Sequence, residues 1–338
     1  MLRADDVLAL RLMGGVTNDD ITRVAQVCDD LQMSLAMLGA MPTDLDRLCD
    51  EQRERCMMHD VTIVTVVDDA YPERLRHITN PPSVLLVAGM LPDPTTHSVG
   101  VVGTRQCTHH YGLPVTQMLV ADWARSGTVI VSGLAQGIDT IAHESALQNT
   151  TPTVAVIASG IDRITPKAAH ELAGRIRSAH GAVISEHPCG VAALPPAFPA
   201  RNRIIAALSD AVVVVESKAR GGALITAEFA RQQGKPLYAV PGPITSARSE
   251  GCNALISSGK ATMLLSSTSV IGIPQGTARA MSQLPLEVLR IDDGAPHHVD
   301  EFCAMFACDV ATARGKLLEF ELSGLVTQLA GERFVVRR

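Results

Sequence analysis

The octapeptide Phe198-Pro199-Ala200-Arg201-Asn202-Arg203-Ile204-Ile205 sets two guanidinium groups beside an amide and an aromatic ring. Ile204, Ile205 and Leu208 follow at i, i+1, i+4 spacing, which predicts a helix starting near Asn202. A helix N-terminus already carries partial positive charge and unpaired N–H groups. Arginines placed there oppose the dipole, and a bound anion would reconcile them. The alternative is that each arginine pairs with a carboxylate such as Glu186 or Asp210.

Other residue types speak to catalysis and metal binding. Asp139 and His143 stand at i, i+4 and can face each other on a helix, as a general base requires. No serine or cysteine is set beside them as a nucleophile, and no metal triad accompanies them. The favoured reading is a helix-capping aspartate with a structural histidine, so no catalytic residue is expected. Glu186 and Glu216, at strand ends, are read as orienting Arg203 or Arg201. The eight cysteines, at 28, 49, 56, 107, 189, 252, 303 and 308, form no CxxC and show no zinc-finger spacing. Reduced thiols and no structural zinc are expected. The doublets His109-His110 and His297-His298 point apart on any regular element and make poor chelates.

These residues need elements to hold them. The chain has 338 residues, 46% of them hydrophobic, enough for two or three domains. No apolar run approaches a membrane span, and the start MLRADDVLALRL is acidic where a secretory signal is basic, so a soluble cytoplasmic protein is expected. The net charge of −6 is unevenly spread: −7 over residues 1–80, +3 over 81–275 and −2 over 276–338. Only the middle segment is basic, and the octapeptide lies in it.

Residues 1–60 read as short helices, with a turn at 13–18, a cap at Thr17 or Asn18, and another helix starting at 42–44. A strand over 61–67 and a proline-rich joint over 71–94 follow. From 98 to about 265, apolar runs alternate with helical patterns. Strands are predicted over 99–102, 129–131, 154–157, 182–184, 212–215 and 237–240. Helices are predicted near 112–126, 138–148, 167–179, 202–208, 222–233 and 252–258. Strands that are apolar throughout are buried on both faces, and this alternation predicts a doubly wound parallel α/β sheet. After a Gly/Ser/Thr/Pro stretch at 266–277, a helix over 296–306, a second helix capped by Asp309 and ending at Gly324, and a hairpin give the winged-helix order. The expected domains are a helical domain of the SAM or helix-hairpin-helix kind at 1–65, a Rossmann-like domain at 66–270 and a winged helix at 280–338.

In an open parallel sheet, ligands bind beyond the carboxyl ends of the strands. Those ends carry Gly103-Thr104-Arg105, the run Ser132–Asp139, Ser159-Gly160, Ser185-Glu186 with the octapeptide, Glu216 with Gly221-Gly222, and Pro241-Gly242-Pro243. Glycines let backbone approach phosphate, and helix N-termini supply donors. SGLAQG is not GxGxxG and no Walker A lysine is present, so no single loop is specific. Together they predict an anion site on one edge.

The runs VGTR, SGLAQGIDTIAHESAL, ISEHPCG, FPARNRIIAALSDAVVVVES, ITAEFA, YAVPGPI and EGCNALISSG, with DAYPERL and NPP at the joint, resemble the DNA-processing DprA (Smf) family over nearly the whole chain. The resemblance implies an extended Rossmann-like sheet domain flanked by a small helical domain and a winged helix. It implies single-stranded DNA binding, loading of the RecA recombinase against single-strand-binding protein, and a role in recombination, competence and natural transformation. It further implies a homodimer formed through the sheet domain, with no turnover and no cofactor. By motif, the DNA-contact role falls on Thr104, Arg105, Gly133, Gly137, Phe198, Arg201, Asn202 and Arg203, with Lys167 and Lys235 as additions. Two departures touch single contacts: Gly221-Gly222-Ala223 stands where the family often has Ser-Gly-Ser, and Thr165-Pro166 keeps only the proline of the family's Tyr-Pro. Aromatics make up only 3% of the chain, so a backbone-held, salt-sensitive grip is expected rather than a stacking platform.

Two other classes compete. Nucleotide-hydrolysing enzymes of the lysine-decarboxylase-like group carry a PGGxGTxxE loop, which Gly221-Gly222 and Thr226-Ala227-Glu228 echo at the wrong spacing. A winged-helix duplex-DNA regulator would read the groove with its second helix. That helix offers only Arg314 and Lys316 against Glu319 and Glu321.

Overall fold

The computed structural model describes residues 2–13, 15–28, 30–38, 44–270, 297–306, 309–322, 326–329, 331 and 333–336. The chain divides into two compact units, Met1–Gly276 and Thr277–Arg338. The first opens with helices α1 (Ala4–Leu12), α2 (Asn18–Val27), α3 (Leu31–Leu38) and α4 (Leu45–Met58). Thr17 caps α2: its hydroxyl accepts the Asp20 N–H at 3.1 Å, and the Asp20 carboxylate accepts the Thr17 N–H in return.

Nine strands follow among the described residues of this unit: β1 (Val61–Thr65), β2 (Val84–Gly89), β3 (Ser98–Val102), β4 (Val129–Ser132), β5 (Thr153–Val156), β6 (Ala182–Ser185), β7 (Ala211–Val214), β8 (Leu237–Ala239) and β9 (Thr262–Met263). Between them run α5 (Glu73–Arg76), α6 (Gly112–Arg125), α7 (Ile138–Gln148), α8 (Lys167–Ser178), α9 (Ala197–Leu208), α10 (Ala223–Gln232) and α11 (Glu250–Ser257). The sheet order is β1-β2-β6-β5-β4-β3-β7-β8-β9. From β6 to β9 all neighbours are parallel. Strand β2 pairs antiparallel with both β1 and β6.

The expected doubly wound α/β sheet is therefore present, with additions. Strand β2, VLLVAG, was absent from the expectation because it follows Asn80-Pro81-Pro82 and reads as part of the joint. Strand β1 lies within the segment 1–65 yet forms the edge of this sheet. Strand β9 is two exposed residues with no hydrophobic signal. Burial on both faces explains the valine-rich strands. Val129, Val131, Val212 and Val214 pack into one hydrophobic cluster, while Ile130, Ala211, Val213 and Val215 pack into another with Leu119, Val120 and Trp123 of α6.

Helix α9 departs from the expectation. It begins at Ala197, with Pro196 in the capping position, five residues before Asn202. Pro199 is thus the third helical residue, where its missing N–H removes no intrahelical bond. Arg201 and Arg203 consequently lie inside the helix rather than at its N-terminus, and both are buried.

The second unit holds β10 (His297–His298), α12 (Val299–Phe306), α13 (Val310–Leu322), β11 (Val326–Leu329) and β12 (Arg333–Val336). Its sheet order is β10-β12-β11, antiparallel throughout. Asp309 Oδ1 accepts the Thr312 N–H at 2.7 Å at the start of α13. Val299, Phe302, Ala313, Leu317 and Phe334 are buried. The stretch 271–277 of the expected linker, Pro296, Cys308 and the helix stop at Gly324 lie outside the described residues, as do Pro42 and Thr43.

Candidate nucleic-acid interface

In the order 6-5-4-3-7-8 the chain winds one way from β3 to β6 and the other way from β7 onward. The switch lies between β3 and β7, where a doubly wound sheet opens a crevice at its carboxyl edge. A cleft of about 590 Å³ occupies that place, and Arg105, Phe198, Arg201, Asn202, Asp139 and Lys218 are among its lining residues.

The first wall is the turn after β3. A Cβ on Gly103 would drive into Ile138, so glycine is required where the turn crosses α7. Thr104 N–H donates to the Glu216 carbonyl at 2.8 Å, and the Thr104 carbonyl accepts Ile138 N–H at 3.2 Å. The turn is thus fastened to the end of β7 and the start of α7. Its exposed residue, Arg105, sets its guanidinium 5.4 Å from the centre of the Phe198 ring. No carboxylate pairs with Arg105 in an ion pair among the described residues. Phe198 reaches the cleft from the first turn of α9, at 36% exposure.

The floor is the loop between β4 and α7. Gly133 and Gly137 hold it, though in a different way from the phosphate approach expected of them. A Cβ on Gly133 would lie 2.8 Å from Arg201 Nη2 and 2.7 Å from Asp139 Oδ2. Gly137 has φ +82° and ψ −128°, and a Cβ there would strike the Thr104 carbonyl oxygen. What approaches each glycine so closely is the protein's own chain.

Arg201 stands beneath this loop and is only 5% exposed. Its Nη1 donates to the carbonyls of Gly133, at 2.7 Å, and Val156, and its Nε donates to Asn202 Oδ1 at 3.1 Å. Burial lowers its pKa to about 10, Asp139 opposing that shift and Arg105 adding to it. Burial likewise pushes Asp139 up to about 6, against the pull of Arg201 and of backbone N–H groups. Asp139 Oδ2 accepts the Gly133 N–H at 3.2 Å. His143, wholly buried, turns to Thr153 Oγ1 at 2.7 Å, and burial with Arg201 nearby lowers it to about 3. The two residues thus serve different partners, and Asp139, the second residue of α7, accepts from the preceding loop rather than capping the helix as expected.

On the far wall the sequence reading placed Gly221-Gly222 but missed the cations beside them. Ser217, Lys218, Gly221 and Gly222 line it between β7 and α10. Lys218 and Arg220 are exposed. Two cations within four residues of Glu216, at a strand end, were the available signal. Among the described residues Glu216 orients no arginine: its carboxylate accepts Thr108 N–H at 2.8 Å and Thr108 Oγ1–H at 2.7 Å. The titratable groups lining the cleft are Arg105, Arg201 and Lys218 against Asp139, so it is positive. A neighbouring pocket of about 300 Å³ shares Arg105, Phe198 and Arg201.

Three expected contacts lie elsewhere. Arg203 is 4% exposed, and its two terminal nitrogens meet the Glu186 carboxylate at 2.7 and 2.6 Å. It also donates to the carbonyls of Asn80, at 2.8 Å, and Ala200, at 2.9 Å. The carboxylate pairing weighed for the octapeptide is the one realised here. Lys167, the first residue of α8, stands in solvent 3.7 Å from Glu171. Lys235 precedes β8 at the amino edge of the sheet, with Arg74 and Asp210 as charged neighbours, and cannot serve a carboxyl-edge cleft. Among the described residues no three His, Cys, Asp or Glu side chains gather as a metal site, and no helix is long and apolar enough to cross a membrane.

Comparison with known proteins joins this geometry to a family. The family profile of DNA recombination-mediator protein A matches residues 62–273, from β1 to just beyond the last strand of the sheet. The chain belongs to this family. Family kinship extends to DNA processing protein DprA of Streptococcus pneumoniae, 43% identical over 195 residues, covering 58% of this chain and 68% of that protein. Protein Smf of Synechocystis is 32% identical over 317 residues, covering 80% and 79%. Among solved structures, DprA from Streptococcus pneumoniae aligns with a TM-score of 0.61 at 32% identity, covering 79% of this chain and 91% of that one. DNA processing protein A from Helicobacter pylori, described for a unique single-stranded DNA binding mode, aligns with a TM-score of 0.55 at 29% identity, covering 62% and 92%.

Proposed function

We propose that this chain binds single-stranded DNA in the switch-point cleft and loads the RecA recombinase onto it, against single-strand-binding protein, without chemical turnover. The observation that carries the reading is the Arg105–Phe198 pair. It is a cation with no carboxylate ion pair among the described residues, laid on an accessible ring at the mouth of a positive cleft. Arginine holds phosphate and an aromatic face accepts any base, so the pair grips a strand without reading its sequence. Lys218 across the cleft takes a second phosphate. The relative from Helicobacter pylori, described as binding single-stranded DNA, supports the same reading. In this reading the protein works in the cytoplasm as a homodimer, which multiplies the grip of each protomer. The second unit is a winged helix that contacts protein rather than duplex.

The test is fluorescence anisotropy of a labelled single strand, competed with duplex, over a salt series. Single strand should win. With two or three phosphates neutralised per protomer, the slope of log affinity on log salt should be about −1.4 to −2.1. Faster RecA filament growth on strands coated with single-strand-binding protein should accompany it. Release of a free base or ribose phosphate from a mononucleotide would instead support the enzyme reading. Equal affinity for duplex, lost on deleting 280–338, would support the regulator.

A further inference from the structure

Away from the cleft, two thiols from distant parts of the chain meet. Cys56, in the last turn of α4, and Cys189, in the turn after β6, place their Sγ atoms 4.0 Å apart. Both are free and buried, at 2% and 6% exposure. The surrounding structure fixes this meeting. Gly190 N–H donates to both oxygens of the Asp162 carboxylate, at 2.8 and 2.9 Å. Gly160 N–H donates to the Val191 carbonyl at 2.8 Å. Gly190, at φ +92°, faces the guanidinium of Arg55 from α4, and a Cβ there would lie 2.6 Å from Arg55 Nη1. On the other side, Gln52 Nε2 donates to Cys56 Sγ at 3.5 Å.

We propose that Cys56 and Cys189 form a redox pair that closes to a disulfide when the protein meets a hydroperoxide and reopens with a dithiol. A disulfide places its sulfurs about 2.05 Å apart, so the pair must close by roughly 2 Å. The thiol–thiol contact holds the Cys189 thiol below its ordinary range, while the same contact and burial push Cys56 well up. Cys189, carried on a turn and the less buried of the two, is the attacking sulfur. Its thiolate attacks a peroxide oxygen and the O–O bond breaks. The departing alkoxide or hydroxide takes the thiol's proton, and Cys189 becomes a sulfenic acid. Cys56 sulfur then attacks Cys189 sulfur, the S–O bond breaks, and water leaves with the Cys56 proton. Two thiols are oxidised, and one hydroperoxide is reduced to an alcohol, or water, plus water. The bond fastens α4 to the segment that runs on into α9. In a reducing compartment such a bond is a transient signal rather than a permanent staple.

The experiment treats the full chain with hydrogen peroxide, alkylates the remaining thiols, and maps the peptides by mass spectrometry. The expected product is a Cys56–Cys189 cross-linked peptide, lighter by two hydrogens, abolished by dithiothreitol. Closing so long a loop should raise the thermal midpoint of the oxidised protein by several degrees. In Cys56→Ala, dimedone should trap Cys189 as its sulfenic acid. The proposal is overturned if both thiols stay alkylatable at doses that oxidise the half-buried Cys107. It is also overturned if wild-type Cys189 passes to the sulfinic acid without cross-linking. Should Cys56→Ala fail to fold, the wild-type peptide map decides by itself.

Discussion

Arg203→Ala is expected to lower unfolding stability by about 3–5 kcal/mol, the cost of leaving a buried carboxylate without its partner. The pair it breaks is almost fully enclosed, with side chains 5% and 6% exposed. More than one contact is lost. Glu186 Oε2 also accepts Asn18 Nδ2 at 3.1 Å, and Asn18 Oδ1 accepts Ser83 Oγ–H at 2.8 Å. Arg11 reaches the Glu186 carbonyl at 3.3 Å. The network therefore joins α1 and α2 to the sheet, and chemical denaturation should show the N-terminal helices loosening first. Glu186→Ala should cost a similar amount, and the double variant less than the sum, since each single variant strands the other charge. The pair also has a pH signature. Burial alone would raise the Glu186 pKa, but the Arg203 hydrogen bonds and the charges of Arg203, His187 and Arg11 outweigh it, so it lies below its ordinary 4.5. A depressed carboxylate contributes stability that is complete above the unfolded value and lost as pH falls through the folded one. Wild type should shed this contribution below about pH 4.5, and Glu186→Gln should lack that step. If Arg203→Ala instead unfolds at the wild-type midpoint and weakens DNA binding, the residue serves the ligand and the structural assignment is wrong.

Gly137→Ala should damage stability and binding together. The φ and ψ of this residue lie in a region essentially reserved for glycine, which costs other residues on the order of 1–3 kcal/mol. The added methyl would also press on the Thr104 carbonyl, and the only relief is to part the Arg105 turn from the start of α7. Arg105 then leaves its place over Phe198, so affinity for a single strand should fall even at temperatures where the variant is folded. Gly127→Ala makes the contrast. That residue also has positive φ, +70°, but open space around it. It should lose about 1 kcal/mol and bind as wild type. Equal binding by the two variants would show that the loop does not position the arginine.

Much of this was legible in the residues because strand burial and ligand location obey general rules. Continuously apolar runs such as 211–214 have no polar face to give to water, which dictates helices on both sides and hence a parallel sheet. Small and basic residues after each run then mark the carboxyl edge. The rest depends on partners distant in the chain. The sequence shows Arg201 and Arg203 as equals. Only the fold sets Glu186, just after β6, beside Arg203 and leaves Arg201 under the cleft. Lys235 looked suitable by charge, yet it precedes its strand rather than following it, which places it at the wrong edge. The apolar spacing that begins at Ile204 placed the helix start near Asn202, whereas the helix already runs from Ala197 with Pro199 in its first turn. Lys218 escaped notice because the glycines beside it drew the reading toward backbone.

The most direct test of the cleft is the salt-dependent affinity of Arg105→Ala for a labelled single strand, with Lys235→Ala alongside. Loss of one charged contact, about 1.5–3 kcal/mol, corresponds to at least a tenfold weakening. The salt slope should flatten by about 0.7 as one phosphate contact disappears. Lys235→Ala should match wild type in both. An Arg105→Ala protein with wild-type affinity and slope, or a Lys235→Ala protein that loses as much, would contradict the placement of the strand at the β3–β7 switch point.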